Sequence, residues 1–180
     1  MSTLRPHASA SLFPRWLLPL LAAVLVAADQ WLKAWAIQNL ELHAPPITAV
    51  PGLLNWVLTY NTGAAWSLFS GGAGLLAVGR MLVGVGLLAY LLLRPQPRAL
   101  SLALTFIAAG AIGNALDGLR QGQVTDMLDF PFLSVVTQAI NGTNFPICNL
   151  ADVFVVGGTF ALLLLSFLEG RADRATPEQV

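Results

Sequence analysis

Two aspartates, Asp126 and Asp152, are the residues of this 180-residue chain best suited to chemistry. Both lie beside long apolar stretches, where a carboxylate is costly and is therefore a candidate for a functional role. Two carboxyl groups held close together cannot both ionise cheaply, so they share one proton. The ionised group then accepts a proton from water while the protonated group polarises a carbonyl. That combination hydrolyses a peptide bond without a covalent intermediate.

Further polar residues accompany the pair. Asp29 and Lys33 are four residues apart near the end of the first apolar stretch, so they share one face of a helix. On spacing alone, one of two equally weighted interpretations is an interfacial ion pair in which Lys33 reaches toward water. Asn114 and Asp117 are three residues apart and project from one face of the third stretch.

The residues around Asp152 predict the start of a helix. Asn149 is placed as its N-cap, with Asp152 at the third helical position. The helix dipole would stabilise the Asp152 anion. This structural role explains the presence of Asp152 but not that of Asp126, Asn114 and Asp117 beside it. We therefore expect the lower pKa at Asp152, with Asp126, placed on a loop, holding the shared proton.

The amino-acid composition predicts that these residues act in a membrane. The chain is 56% hydrophobic and 10% charged, with a mean hydropathy of +0.71, whereas soluble domains have about 25% charged residues. The fold class is therefore an all-α membrane protein in a single domain. Its four transmembrane helices are expected at about residues 16–37, 72–93, 100–119 and 150–168. The net charge is zero, so no nucleic acid partner is expected.

Basic residues predict the orientation of these spans. They precede the first span, occupy the turn between the second and third, and follow the fourth: Arg5, Arg15, Arg94, Arg98, Arg171 and Arg174. By the positive-inside rule both termini are cytoplasmic, and the loops at about residues 38–71 and 120–149 face outward. The aspartates then gather near the outer face. As an alternative for the N-terminus, Ala27-Ala28 resembles the end of a cleavable signal peptide.

The first outer loop contains a second predicted element. Residues 47–60 are rich in Val, Leu, Thr and aromatic side chains, and Pro51-Gly52 interrupts them. This pattern predicts two short strands. They would form a small extracytoplasmic β-sheet at the membrane boundary.

Five blocks of residues, in order along the chain, resemble the lipoprotein signal peptidase family (signal peptidase II). The blocks are Asp29…Lys33, Asn61-Thr62-Gly63-Ala64-Ala65, Gly113-Asn114…Asp117, Val124…Asp126 and Asn149…Ala151-Asp152. The resemblance implies an aspartic endopeptidase of the bacterial cytoplasmic (inner) membrane. Its substrate would be a diacylglyceryl-modified prolipoprotein, cut before the lipidated cysteine.

The resemblance also implies roles for individual residues. Asp126 and Asp152 would be catalytic. Seven residues would bind substrate or support the site: Asp29, Lys33, Asn61, Gly63, Asn114, Asp117 and Asn149. The enzyme would act as a monomer among membrane lipids, without a cofactor. The chain departs from the family at Gly118, where members usually carry arginine. The ion pair expected around Asp117 therefore lacks its usual cation, and Arg120 is near in sequence but turned by about 200° on the helix.

Other function classes remain open at this point. A proton or ion carrier would use Asp29, Asp117 and Arg80, and a non-catalytic scaffold would use none of these groups. A thiol peptidase would depend on Cys148, and a serine–lysine hydrolase on Lys33. No metal site is expected, since the two histidines, at positions 7 and 43, are isolated.

Overall fold

The computed structural model of the chain describes Pro14, residues 16–62 and residues 73–175. Eight elements follow one another: α1 (Leu17–Asn39), β1 (Ile47–Val50), β2 (Leu54–Asn61), α2 (Ala73–Leu93), α3 (Arg98–Gln121), β3 (Val124–Asp129), α4 (Pro131–Asn141) and α5 (Leu150–Ala175). The predicted fold class is confirmed, since the chain is mostly helical with one small sheet.

Four helices, α1, α2, α3 and α5, are long and apolar enough to cross a membrane, as the sequence predicts. The third is longer than expected by two residues at each end. It follows Pro97 directly and ends at Gly122, whose φ of 72° lies in the left-handed region that favours glycine. The two extra residues at the C-terminal end matter because they lead directly into the segment that carries Asp126.

Helix α3 is the centre of the bundle and packs against α1, α2 and α5. Small residues allow this close packing. A Cβ at Gly84 of α2 would lie 2.9 Å from the carbonyl oxygen of Ala108, and one at Gly158 of α5 would lie 2.7 Å from that of Ala103. Outward side chains of α2 and α5, such as Leu82 and Phe160, are exposed. The four long helices therefore form a helical layer with α3 at its centre, and the outward surface of this layer is apolar.

The sheet has three antiparallel strands in the order β1-β2-β3. The two strands predicted within 47–60 are confirmed, and the third strand was not predicted. Asp126, expected on a loop, lies instead in β3, where it pairs with Thr59 of β2. The sheet rests on α1 through a core of Ala36, Leu58, Met127 and Leu128. This packing fixes the height of β3 relative to the helices.

The second long loop contains a helix that the sequence reading missed. Helix α4 begins with Pro131 at its first position and ends at Gly142, which has a φ of 74°. Its apolar side chains Val135 and Ile140 are largely exposed. The chain then returns to the sheet, where Cys148 donates its N–H to Leu128 O at 3.0 Å before α5 begins.

Candidate active site

Two asparagines hold the carboxyl groups of Asp126 and Asp152. Asn149 donates from Nδ2 to Asp126 Oδ1 at 2.6 Å, and Asn114 donates from Nδ2 to Asp152 Oδ1 at 2.7 Å. The predicted cap is confirmed, because the N–H of Asp152 donates to Asn149 Oδ1 at 2.9 Å. Asp152 Oδ2 accepts from the N–H of Asn149 in return, at 3.3 Å. Asn149 therefore contacts both aspartates.

The chain brings the two aspartates together through residue Cys148. The N–H groups of Met127 and Leu128 both donate to the carbonyl oxygen of Cys148, at 2.9 and 2.8 Å. Residue 148 is thus fixed beside the residues that follow Asp126. Asn149 and the first turn of α5 come next in the chain, so Asp152 lies at the same end of the bundle.

A buried ion cluster lies beneath this pair. Lys33 Nζ is 3.0 Å from Asp29 Oδ2 and 3.1 Å from Asp117 Oδ2, and it donates to Asn114 Oδ1 at 3.0 Å. Only 2% of Lys33 is exposed. The interpretation that Lys33 reaches toward water at the interface is therefore wrong. The spacing identified the pair, but packing of α1 against α3 buries it.

The ion cluster also holds the backbone next to each aspartate of the pair. Asp29 Oδ1 accepts from the N–H of Ala151 at 2.9 Å, and Asp117 Oδ2 accepts from the N–H of Thr125 at 3.0 Å. Each of these N–H groups belongs to the residue immediately before Asp152 or Asp126. Lys33 therefore positions both aspartates through two carboxylates, and Asp152 also through Asn114.

Asp117 is paired with a cation although position 118 is a glycine, because Lys33 of α1 forms an ion pair with it. Gln30 adds a hydrogen bond from Nε2 to Asp117 Oδ1 at 2.9 Å. Arg120, which follows Gly118 in the chain, donates to Gln30 Oε1 at 3.0 Å. Gln30 was missed in the sequence, although it lies directly after Asp29 and one helical turn before Lys33.

Two further predicted residues are Asn61 and Gly63. Asn61 ends strand β2, and its side chain forms a hydrogen bond with Asp126. Gly63 lies outside the described residues. The structure thus brings eight of the nine predicted residues into one connected group.

The environment of Asp126 favours its protonated form. The pKa of Asp126 is raised to about 6, chiefly by burial and also by the charge of Asp152, against the opposing effect of the Asn149 hydrogen bond. Asp152 is less buried than Asp126. Burial and the nearby aspartates also raise the pKa of the Cys148 thiol to about 12. A thiolate is the nucleophile of thiol peptidases, so this environment argues against that class.

The raised pKa of Asp126 predicts a pH-dependent cost in stability. An unfolded aspartate ionises near pH 3.8, so stability falls as pH rises from there through about 6 and stays lower above. We expect Asp126→Asn to raise the free energy of unfolding by about 2–3 kcal/mol at pH 8, at about 1.4 kcal/mol per pKa unit. Thermal unfolding in detergent would measure the difference. At pH 4 the gain should fall below about 1 kcal/mol, and a gain that is equal at both pH values would contradict this explanation.

Gly113 allows α1, α3 and α5 to meet at the ion cluster. A Cβ there would lie 2.7 Å from Asp29 Oδ2 and 3.1 Å from the Cβ of Ala151. We expect Gly113→Ala to lower the free energy of unfolding by about 1–3 kcal/mol, as overpacked cores do, and to reduce activity. Gly86→Ala is the matched control, because nothing lies within 4 Å of its Cβ position. Equal unfolding temperatures for the two variants would refute the close approach.

Two cavities border Asp152 on different sides of α5. One has a volume of about 310 Å³ and an almost wholly apolar wall that includes Phe130, Phe132 and Phe145. The other, about 480 Å³, lies among α2, α3 and α5, and Arg80 and Asn114 are its other polar residues. Asp152 is thus open to apolar ligands from two sides.

Comparisons with known proteins agree with this site. Residues 21–168 match the family described as Signal peptidase (SPase) II. A lipoprotein signal peptidase of Deinococcus radiodurans is 60% identical over 167 residues, which cover 92% of this chain and 87% of that protein. One from Enterococcus faecalis is 37% identical, covering 86% of this chain and 90% of that protein.

Solved structures show the same fold. A bacterial membrane enzyme structure has a TM-score of 0.71 at 24% identity and covers 91% of this chain and 94% of its own. A second has a TM-score of 0.69 at 25% identity, with coverages of 83% and 91%. These findings support a multi-pass membrane peptidase and not an ion carrier or a scaffold. The chain belongs to the signal peptidase II family.

Proposed function

We propose that this protein is an aspartic endopeptidase that removes the signal peptide from diacylglyceryl-modified prolipoproteins, cutting before the lipidated cysteine. The observation that carries the proposal is the contact of Asn149 with both Asp126 and Asp152. It places two carboxyl groups of unlike burial at one end of the helical layer, beside apolar cavities. The names of the relatives supply the substrate class.

In the proposed reaction Asp126 begins protonated and Asp152 ionised. Asp152 removes a proton from water as the water oxygen attacks the scissile carbonyl carbon, and Asp126 gives its proton to the carbonyl oxygen. The tetrahedral intermediate then collapses. The carbon–nitrogen bond breaks as Asp152 gives its proton to the leaving amine of the cysteine and Asp126 takes one from a hydroxyl of the intermediate. The signal peptide departs as a carboxylic acid, and both aspartates return to their starting states. The raised pKa of Asp126 and the helix-start position of Asp152 both support this assignment.

The depth of the site suits a lipid-anchored substrate. The acyl chains of a lipidated cysteine hold the scissile bond near the membrane surface, and the phenyl groups of Phe130, Phe132 and Phe145 wall a cavity beside Asp152. In our proposal both termini are cytoplasmic and the aspartates lie near the outer face of the bacterial cytoplasmic membrane. One chain supplies every described residue of the site, so a monomer is sufficient.

The test is cleavage of a synthetic prolipoprotein by the purified protein in detergent. We expect release of the signal peptide from the diacylglyceryl-modified form and none from the same polypeptide with a free cysteine thiol. Mass spectrometry of both products identifies the bond that is cut. Failure to cleave the lipidated form would overturn the proposal, and equal cleavage of both forms would remove the requirement for lipid.

A further inference from the structure

Arg80 is a cation in the wall of the cavity among α2, α3 and α5, where most of the other lining residues are apolar. It lies seven residues from Ala73, the first residue of α2, which places it about 10 Å along the helix at about 1.5 Å per residue. A charge at this depth is costly without a partner. Among the described residues, none forms an ion pair or a hydrogen bond with Arg80. The adjoining segment 63–72 contains no Asp or Glu.

The cavity extends from Asp152 along the helices. On α3 its wall includes Asn114, at the level of Asp152, and Ile107, seven residues nearer the other end of the bundle. Seven helical residues cover about 10 Å. Asn114 is itself seven residues from the last residue of α3, so it lies at the depth of Arg80 on the antiparallel α2. The cavity is therefore an elongated space parallel to the helices, with Arg80 near its active-site end.

Arg80 also borders a narrow recess with Asn61 and Gly118. Asn61 forms a hydrogen bond with Asp126. Gly118 contributes no side chain, and Arg80 is the only charged residue among the described ones that line this recess. Arg80 and the asparagine that contacts Asp126 thus line the same recess.

We propose that the cavity among α2, α3 and α5 binds the C-terminal part of the signal peptide, and that Arg80 donates hydrogen bonds to its last backbone carbonyl groups. This inference rests on the proposed function, because it assigns one half of that substrate to one of the two cavities. The carbonyl groups at the end of a helix have no partner within the helix and carry its negative dipole end. A guanidinium has five N–H donors and no acceptor, which suits such an end.

The shapes of the two cavities favour this assignment. A signal peptide that crosses the membrane must run along the helices, as the Arg80 cavity does. None of the described residues in the wall of the Phe130–Phe132 cavity is a cation, so this wall offers no charged donor to unpaired carbonyl groups and fits acyl chains better. Asp152 borders both cavities, which is where the scissile bond between the signal peptide and the lipidated cysteine would lie.

The experiment measures binding separately from cleavage. The probe is a fluorescent lipidated prolipoprotein peptide whose scissile amide is reduced to a methylene amine, so that it cannot be cut. We expect Arg80→Gln to raise its Kd by about 10- to 100-fold, the worth of a charged hydrogen bond, and Arg80→Lys to raise it less. Arg94→Gln, the same change at the other end of α2, should leave Kd unchanged. Unfolding temperatures establish that each variant is folded.

Each outcome decides the assignment. An unchanged Kd for Arg80→Gln overturns it. A loss of affinity for phosphatidylglycerol micelles with unchanged affinity for the peptide also overturns it, because Arg80 would then bind a lipid phosphate. With the cleavable peptide, we expect Arg80→Gln to raise KM more than it lowers kcat. If the wild-type protein binds the probe through Arg80 but cleaves no lipidated substrate, the proposed reaction fails while the binding assignment stands.

Discussion

Asparagine in place of either Asp126 or Asp152 is expected to lower the rate of prolipoprotein cleavage by at least about 10³-fold, in the range that a positioned general acid or base contributes. An asparagine neither takes a proton from water nor gives one to the scissile carbonyl. The substitution keeps the shape of the side chain, and Asn149 Nδ2 can still donate to an oxygen at position 126. The measurement is single-turnover cleavage of the lipidated substrate.

Asp129→Asn provides the matched control for this prediction. Asp129 lies on the same strand, three residues after Asp126, and its carboxylate accepts a hydrogen bond from Asn55 at 2.8 Å. We expect this variant to cleave at nearly the wild-type rate. The double variant of Asp126 and Asp152 should be no slower than either single variant, since the two groups act as a unit. Robust cleavage by either single variant would remove that residue from the mechanism.

The parts of this site that the sequence predicts are the ones encoded locally. The N-cap at Asn149 depends on residues within one helical turn, and the apolar spans depend on continuous composition, so both are confirmed. Strand β3 is different. Its residues Val124–Leu128 are buried on both faces, so the strand shows no alternation between polar and apolar side chains. Asp126 therefore appeared to belong to a loop.

The burial of Lys33 could not be predicted, because it depends on contacts between residues distant in sequence. Spacing places Asp29 and Lys33 on one helix face but does not say whether that face meets water or another helix. The structure shows α3 covering it, with Asp117 as a second carboxylate. The Lys33–Asp117 contact also explains why Asp117 is paired although position 118 is glycine. The sequence showed a missing arginine next to Asp117, but the cation that pairs with Asp117 comes from a different helix.

Lys33→Met is expected to cost about 3–5 kcal/mol of stability, the usual result of breaking a buried ion pair by removing one partner. Asp29 and Asp117 would then face each other without a cation. Activity should fall as well, because these carboxylates hold the N–H groups of Ala151 and Thr125 beside the aspartate pair. Denaturation in detergent measures the first effect and the cleavage assay the second. Arg120→Gln, which removes an exposed hydrogen bond to Gln30, should cost less than about 1 kcal/mol.

A second substitution separates the charge of Lys33 from its volume. Asn at position 29 removes one buried anion, and its side-chain oxygen can still accept from the N–H of Ala151. We therefore expect Lys33→Met combined with Asp29→Asn to be more stable than Lys33→Met alone, although Asp29→Asn by itself destabilises the protein. The effect of Asp29→Asn on stability thus changes sign when Lys33 is absent. An ion cluster requires this change of sign, and a packing defect does not produce it. If the two losses of stability simply add, Lys33 acts through its hydrocarbon chain and not through its charge.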